Sequence, residues 1–449
     1  MIDDDRTHAP IPFSTLDELF VHLDEPSRPL TVHLEARVTE QLDEQRLRDA
    51  VMAAAGKHPL ARARLRPRDA DTQPFEWLID RAPQLDPVRS IVVSDPARLD
   101  AVRGEFCSRS IALDESPPFR VLLVHTEGGD IVMVSVHHSA CDGVGLFRLL
   151  QSIGRAYAGV ADPTPGLPPD EAIRLALPSY ERAVADRLHE QGIAERRKDG
   201  GPVVPQLGRV HSRPARLAAK EPSDAPGYGV HSMSLPAQPL VDSPLRHRLG
   251  ASVNDVIVAA VHRAIDAWNT AYDTPPERVS ISMPLNARLD AWRDDVMANI
   301  FSAESVSTTQ AERQSPEECV RAISRCTEEI KRRGIGSALG AHTRGLIGSE
   351  SERRGLETRL RASIDYLADT VSLSNTGSLP TDWVDSRDFP VAEVWGTPPT
   401  IGVRMGMGAA TTGDTLVLSF RHTLAVWSAA EAAAFADVVR AELDCLSGH

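Results

Sequence analysis

The chain has no long apolar run: no stretch approaches the ~20 consecutive apolar residues that cross a bilayer. Its first ten residues, MIDDDRTHAP, carry acids where an exported protein has an apolar signal segment, so a cytoplasmic protein is expected. Positive charge is in deficit, with 49 lysines and arginines against 63 acids and a net charge of −14. A general nucleic-acid binder needs a basic footprint and is excluded; a local basic patch for a phosphorylated ligand is not. Cysteine is scarce: five residues, at 107, 141, 319, 326 and 445, with no CxxC pair. That usage fits reduced thiols, with neither a disulfide framework nor a zinc site. No GxSxG segment occurs, which argues against the usual serine hydrolase. The segment GIGSALG, 334–340, follows a basic helical stretch and lacks the P-loop lysine, so it is expected to be a loop. The triplet KRR before it, 331–333, fits a solvated helix end, with a coenzyme or carrier phosphate contact as the alternative.

What is present is ample core material. The 449 residues suffice for two or three domains, and 42 % are apolar. Thr15 and Glu18 have capping-box spacing ahead of an apolar stripe of Leu16, Leu19, Phe20 and Leu23, which predicts a helix. In LTVHLEARV, 30–38, apolar residues alternate with Thr31, His33, Glu35 and Arg37, the pattern of a half-buried strand. A helix is expected over 42–56, ending at Gly56. Strands follow at FRVLLVHT and DIVMVSVHH, and Gly143 opens a helix with Leu146, Leu149, Leu150 and Ile153 inward. Prolines and charge cluster between 160 and about 230, which marks a crossover with a helix near 178–197. The second half mixes strands (RVSISMPLNAR, TVSLSNTG, TLVLSFRH) with helices at 251–268, after Ser315 and after Ser428. The expectation is an α/β protein of two lobes with mixed sheets: 1–175, a linker at 176–230, and 231–449.

The sharpest motif is HHSACDG, 137–143, where an apolar strand meets a helix. Neighbouring side chains on a strand point to opposite faces, so His137 and His138 cannot both enter one cavity. One is expected in packed surroundings and the other in an open site. That geometry, without an obvious third ligand, argues against a metal site. Asp142 lies in the turn, and Gly143 is expected to supply backbone freedom there. Ser139 and Cys141 occupy the middle of the turn, and a lone cysteine there is expected to be inert.

HHSACDG matches the HHxxxDG signature, and the chain resembles the superfamily of condensation domains, chloramphenicol acetyltransferase, wax ester synthase/diacylglycerol acyltransferases and mycobacterial polyketide-associated acyltransferases. The segments KHPLARARL (57–65), PPFRVLLV (117–124), SVNDVIVAAV (252–261), SMPLNAR (282–288) and SLSNTG (372–377) resemble the family in the same order. The plant-branch DFGWG motif is absent. The resemblance implies two chloramphenicol-acetyltransferase-like lobes in a V shape with a tunnel between them. It implies His138 as general base, with no acyl-enzyme and His137 packed. It implies that Asp142 forms a structural salt bridge with an arginine, Arg62 as first candidate and Arg288 as second. Ser374, Asn375 and Gly377 are placed along the tunnel, Asn375 alternatively satisfying a turn. The implied reaction moves an acyl group from coenzyme A or a phosphopantetheinyl carrier protein to a hydroxyl or amine of a natural-product or lipid acceptor. No cofactor beyond the donor is implied, and a monomer is expected. Two alternatives stand beside this: peptide-bond formation between carrier-bound substrates, and a non-catalytic recruitment domain, which would usually lose the motif histidine retained here.

Overall fold

The computed structural model describes residues 10–68, 73–163, 195–196, 202–203, 213–219, 225–286, 288, 297–333, 358, 368–384 and 387–448. The strands of the first half are β1 (Ile11–Pro12), β2 (Thr31–Val38), β3 (Ala63–Leu65), β4 (Glu76–Ile79), β5 (Val88–Val92), β6 (Phe119–Thr126), β7 (Gly129–His137), β8 (Glu195–Arg196) and β9 (Pro202–Val203). Those of the second are β10 (Tyr228–Pro236), β11 (Arg278–Asn286), β12 (Phe301–Thr309), β13 (Val371–Ser378), β14 (Val391–Thr397), β15 (Met405–Thr412) and β16 (Thr415–Thr423). The helices are α1 (Thr15–Leu23), α2 (Glu44–Lys57), α3 (Leu99–Ser108), α4 (Gly143–Ala158), α5 (Gln238–Val241), α6 (Pro244–Leu249), α7 (Val253–Ala271), α8 (Gln310–Arg313), α9 (Pro316–Arg333) and α10 (Ala429–Ser447). The helix expected over 178–197 lies outside the described residues except at 195–196, which pair as β8 with β9. No helix among the described residues is long and apolar enough to cross a membrane.

Helix α1 is capped one residue earlier than the Thr15/Glu18 spacing suggests. Ser14 Oγ accepts from Asp17 N at 3.1 Å, and Asp17 Oδ2 accepts from Ser14 N at 3.0 Å. Two overlapping capping frames exist in STLDE, and the first closes the reciprocal ring. Helix α2 likewise runs to Lys57, with Gly56 inside its last turn.

One lobe is built on a five-stranded sheet, β14–β2–β7–β6–β5, mixed because β5 and β6 run parallel. All nine residues of β7 are buried, as a central strand covered on both faces requires. Val132, Val134 and Val136 pack with Leu146, Leu149 and Ile153 of α4, while Ile131 and Met133 face Val102 and Phe106 of α3. The half-buried pattern expected of β2 is not what is found: Thr31, His33 and Glu35 are buried as well. Arg103 of α3 lies over that face and bonds Glu35 at 2.6 and 3.0 Å, so the polar alternation marks a buried ion pair and not solvent.

The other lobe carries a six-stranded sheet, β10–β16–β15–β13–β11–β12, with parallel pairs at β11–β13 and β13–β15. Helices α7, α9 and α10 cover one face through residues such as Val256, Ala260, Ile323 and Phe435. On the other face Tyr228, Val230, Ala410 and Val417 meet Cys107 of α3 and Trp395 of β14. The sheet pairing crosses the division at 231, because β14 leaves the second half of the chain and joins β2 antiparallel. Its passage over β15 is close: a Cβ on Gly408 would run into the carbonyl of Gly396.

Candidate active site

The site grows from the end of β7. His138 N donates to Leu30 O (2.8 Å) and Ala140 N to His137 O (2.9 Å), which turns the chain sharply before α4. Asp142 is the N-cap of α4, its Oδ1 accepting from Gly145 N at 2.8 Å. The same carboxylate takes a bidentate pair from Arg288, at 2.8 and 2.9 Å, and a bond from Ile300 N at 2.8 Å. Arg288 continues to Ala298 O at 2.8 Å. A buried carboxylate with four donors and a facing guanidinium is a structural clamp between the turn and the 288–300 segment.

Arg62, the first candidate for this bridge, is elsewhere. It closes the turn Pro59–Arg62 and donates to the carbonyls of Ala55 (3.1 Å) and Asp80 (2.6 Å). The compact turn after α2 aims its guanidinium at nearby backbone and away from the motif. Gly143 also departs from expectation. It begins a regular helical turn, and a Cβ there would meet only Val32, at 4.0 Å. The crowded glycine is Gly145, where a Cβ would lie 3.0 Å from Ala298 N.

The two histidines separate, with β7 ending at His137 and His138 already in the turn. His137 is buried; its Nδ1 accepts from Ser139 N at 3.1 Å, and its Nε2 lies 3.6 Å from Asp24 Oδ2. His138 Nδ1 lies 3.3 Å from Cys141 O. A carbonyl only accepts, so Nδ1 carries the proton and Nε2 keeps its lone pair. Nε2 has no hydrogen-bond partner among the described residues. It also does not belong to the sealed, unpartnered nitrogens the chain contains, such as those of His422. The ring is less open than the sequence suggests: His138 is 6 % exposed, with Phe20 of α1 stacked on it at 3.9 Å and Phe301 of β12 parallel at 5.7 Å. Burial pushes its pKa down to about 4, so the ring is neutral at pH 7.

Cys141 is fully buried, and burial raises its thiol well above the usual range, so no thiolate stands beside His138. Ser374, Asn375 and Gly377 lie on β13. Asn375 Nδ2 donates to Asn254 Oδ1 at 2.9 Å and its Oδ1 accepts from Gly377 N at 2.8 Å, where Gly377 has φ +70°. Asn375 therefore satisfies a turn and ties β13 to the start of α7. No hydrogen bond or ring contact joins these three to His138 among the described residues. They sit where β11 and β13 part: the strands pair only at Ile281–Val371 and Ser282–Ser372, although they run on to Asn286 and Ser378.

Three neighbours of His138 were not singled out from the sequence as site residues. Phe20 reads only as part of a helical stripe. Asp17, on the same helix, is buried, and burial raises its pKa to about 6. Asn299 is the third: its amide donates to Asp17 Oδ1 (2.9 Å), His138 O (2.6 Å) and Ser139 O (3.1 Å). The only hint was a lone amide among the apolar residues of 297–301, MANIF.

The fold is thus two mixed-sheet lobes, with the HHSACDG turn clamped by Asp142 and Arg288. Residues 13–257 match the wax ester synthase/diacylglycerol acyltransferase catalytic domain, and the chain belongs to that family. An uncharacterized protein of Mycobacterium tuberculosis, Rv2305, is 31 % identical over 415 residues, covering 91 % of this chain and 93 % of its own. Among solved structures, the wax ester synthase/diacylglycerol acyltransferase of Marinobacter aquaeolei VT8 matches 98 % of this chain and 100 % of its own, with 16 % identity and a TM-score of 0.60. A variant of the starter condensation domain of rhizomide synthetase, in complex with C8-CoA, matches 98 % of this chain and 95 % of its own, with 14 % identity and a TM-score of 0.64. The two-lobed fold is shared with both enzymes, and the family is one of acyltransferases.

Proposed function

We propose that this chain transfers an acyl group from a coenzyme A or carrier-protein thioester to a hydroxyl or amine of a small-molecule acceptor, with His138 as general base. The observation that carries the reading is the state of that ring. Nδ1 is committed to the Cys141 carbonyl, and Nε2 is a lone pair on a neutral imidazole with no hydrogen-bond partner among the described residues.

Nε2 takes the acceptor proton as its oxygen or nitrogen attacks the thioester carbonyl. The tetrahedral intermediate collapses with cleavage of the C–S bond, and the imidazolium returns its proton to the departing thiolate. The base cycles without net consumption, and no acyl-enzyme is needed. A positioned base of this kind contributes roughly 10²–10⁴-fold in rate. The gap between β11 and β13 beyond Ser282 and Ser372 supports a substrate path from the second lobe towards the turn.

Intact-mass analysis of products tests the reading, using acyl-coenzyme A and acyl-carrier donors from acetyl to long-chain against pooled alcohols and amines. An ester or amide product that disappears in His138→Ala is expected. Turnover in His138→Ala equal to wild type removes the proposal, and a product formed only between two carrier-bound substrates replaces it with the peptide-forming alternative.

A further inference from the structure

Among the described residues no carboxylate is hydrogen-bonded to the His138 ring. Both oxygens of Asp142 are engaged by Arg288, Gly145 N and Ile300 N, and the ring's one hydrogen bond among the described residues is 3.3 Å long. An imidazole held by a single long bond can swing about χ2, and its base nitrogen then loses its aim. A different contact fixes the plane. The rings of Phe20 and His138 lie 3.9 Å apart and 13° from parallel. Phe301 is parallel to both, 5.7 Å from His138 and 6.2 Å from Phe20. These distances form a triangle and not a line, so Phe301 stands beside the stack. The imidazole face away from Phe20 bears no aromatic ring among the described residues.

We propose that Phe20 is a positioning residue for His138: its stacked ring, in place of a carboxylate, holds the imidazole plane and aims Nε2 at the acceptor. The proposal rests on the reading of His138 as the base. The helix that delivers Phe20 is itself anchored to the motif turn. Asp17, one helical turn before Phe20, is bonded by Asn299, whose amide also holds the carbonyls of His138 and Ser139. Leu19, Leu23 and Leu30 form one buried cluster with Phe20, and partly buried Phe301 and Ile401 pack against it. Roof and catalytic turn therefore share one bracket, and a shift of α1 moves Phe20 relative to the ring it covers.

The charged and titratable groups about the ring are His137 on its own strand, Asp142 on the turn with Arg288 behind it, and Asp17 on α1 through Asn299. None of these changes when Phe20 alone is replaced, so the ring's tautomer and motion report on the stack. Full-length Phe20→Leu and Phe20→Tyr variants are compared with wild type by histidine-ring NMR, with His138→Asn assigning the resonance. The expected result is a single Nδ1–H tautomer with sharp ring signals at pH 7 in wild type, a tautomer mixture or exchange-broadened ring signals in the Leu variant as the bond to Cys141 O is lost, and the wild-type pattern in the Tyr variant. Coenzyme A release from palmitoyl-coenzyme A with 1-hexadecanol is followed alongside. Loss of aim lowers kcat roughly 10- to 100-fold in the Leu variant with KM little changed, and tyrosine recovers it. A Phe20→Leu protein that keeps the single sharp tautomer overturns the proposal, as does a tyrosine variant no better than leucine. Should His138→Asn turn over as wild type does, the base reading fails instead, and the ring signals still decide whether Phe20 governs the ring.

Discussion

Arg288 and Asp142 are buried together, with side-chain exposures of 1 % and 7 %, and face each other through two hydrogen bonds. Removing one takes the bidentate bond from the other, and breaking a buried pair costs about 3–5 kcal/mol. Asp142→Ala also removes the cap of α4 and the acceptor for Ile300 N. We expect Asp142→Ala and Arg288→Ala each to lower the urea midpoint sharply, and the double variant to lose clearly less than the two losses added, since neither charge is then left unpaired. The same cycle with Arg62→Ala in place of Arg288→Ala is expected to be additive. Coupling between Arg62 and Asp142 of the size found for Arg288 contradicts the bridge described above. Cys141 permits a second test. Its thiol is sealed and held protonated, whereas Cys445 is exposed. A thiol reagent at pH 8 should label Cys445 in the native protein and Cys141 only after denaturation, and Cys141→Ala should retain acyl transfer. Loss of transfer in a stable Cys141→Ala protein would point to a covalent acyl-cysteine route.

At the level of elements, β14 is the piece that makes one molecule of two lobes. It pairs with β2 from Val391↔Val38 to Thr397↔His33 while lying against β15, and two glycines permit that approach. The obstacle a Cβ on Gly408 would meet is backbone, which cannot rotate away. Gly408→Ala is therefore expected to destabilise by about 1–3 kcal/mol through overpacking, read as a lower urea midpoint. Gly413→Ala makes a poor control, since its φ of +56° adds strain of its own; Gly56→Ala, with open space and a helical backbone, is the right one and should be neutral or stabilising. An unaffected Gly408→Ala protein would mean that β14 and β15 stand further apart than described. These elements also show what a sequence makes legible. The strand–turn–helix of β7 and α4, and the helices α7 and α10, follow from apolar period and caps, which are local. The half-buried reading of β2 fails because period reports which residues alternate, not what covers the second face. The bridge from Asp142 to Arg288 spans 146 residues and the bond from Asn299 to His138 spans 161, and nothing local distinguishes Arg288 from Arg62 as a partner. The motif is legible as chemistry, and its supports only as tertiary structure.

Across the whole molecule, acid should act through buried histidines. Burial pushes His138 and His422 down to about 4, His58 and His262 down to about 3, and His33 down as well. Each stays neutral in the folded state while its unfolded counterpart binds a proton below about 6.5. The stability these groups contribute is therefore complete above 6.5 and is lost as pH falls towards their folded values. Three carboxyls work in the other direction. Asp17, raised to about 6, and Asp369 and Glu393, raised by burial, hold a proton in the folded state that the unfolded chain has released. They stabilise the fold as pH falls through their raised values and offset part of the histidine effect. Four of the histidines have folded values of about 3 or 4, so unfolding takes up protons below 6.5 and the net effect is a loss of stability, which Asp17 partly offsets. Urea unfolding at pH 7, 6 and 5 should accordingly show stability dropping at each step. His262→Gln should flatten the fall by about 1.4 kcal/mol per unit even if it is less stable at pH 7. His262 is the informative choice because its Nδ1 bond to Thr308 Oγ1 is far from the motif, so the change in slope reports protonation and not damage to the site. A stability that is level between pH 7 and 5 would mean that these rings take up protons in the folded protein, and that the imidazole at the centre of the site is more open to water than its packing against Phe20 implies.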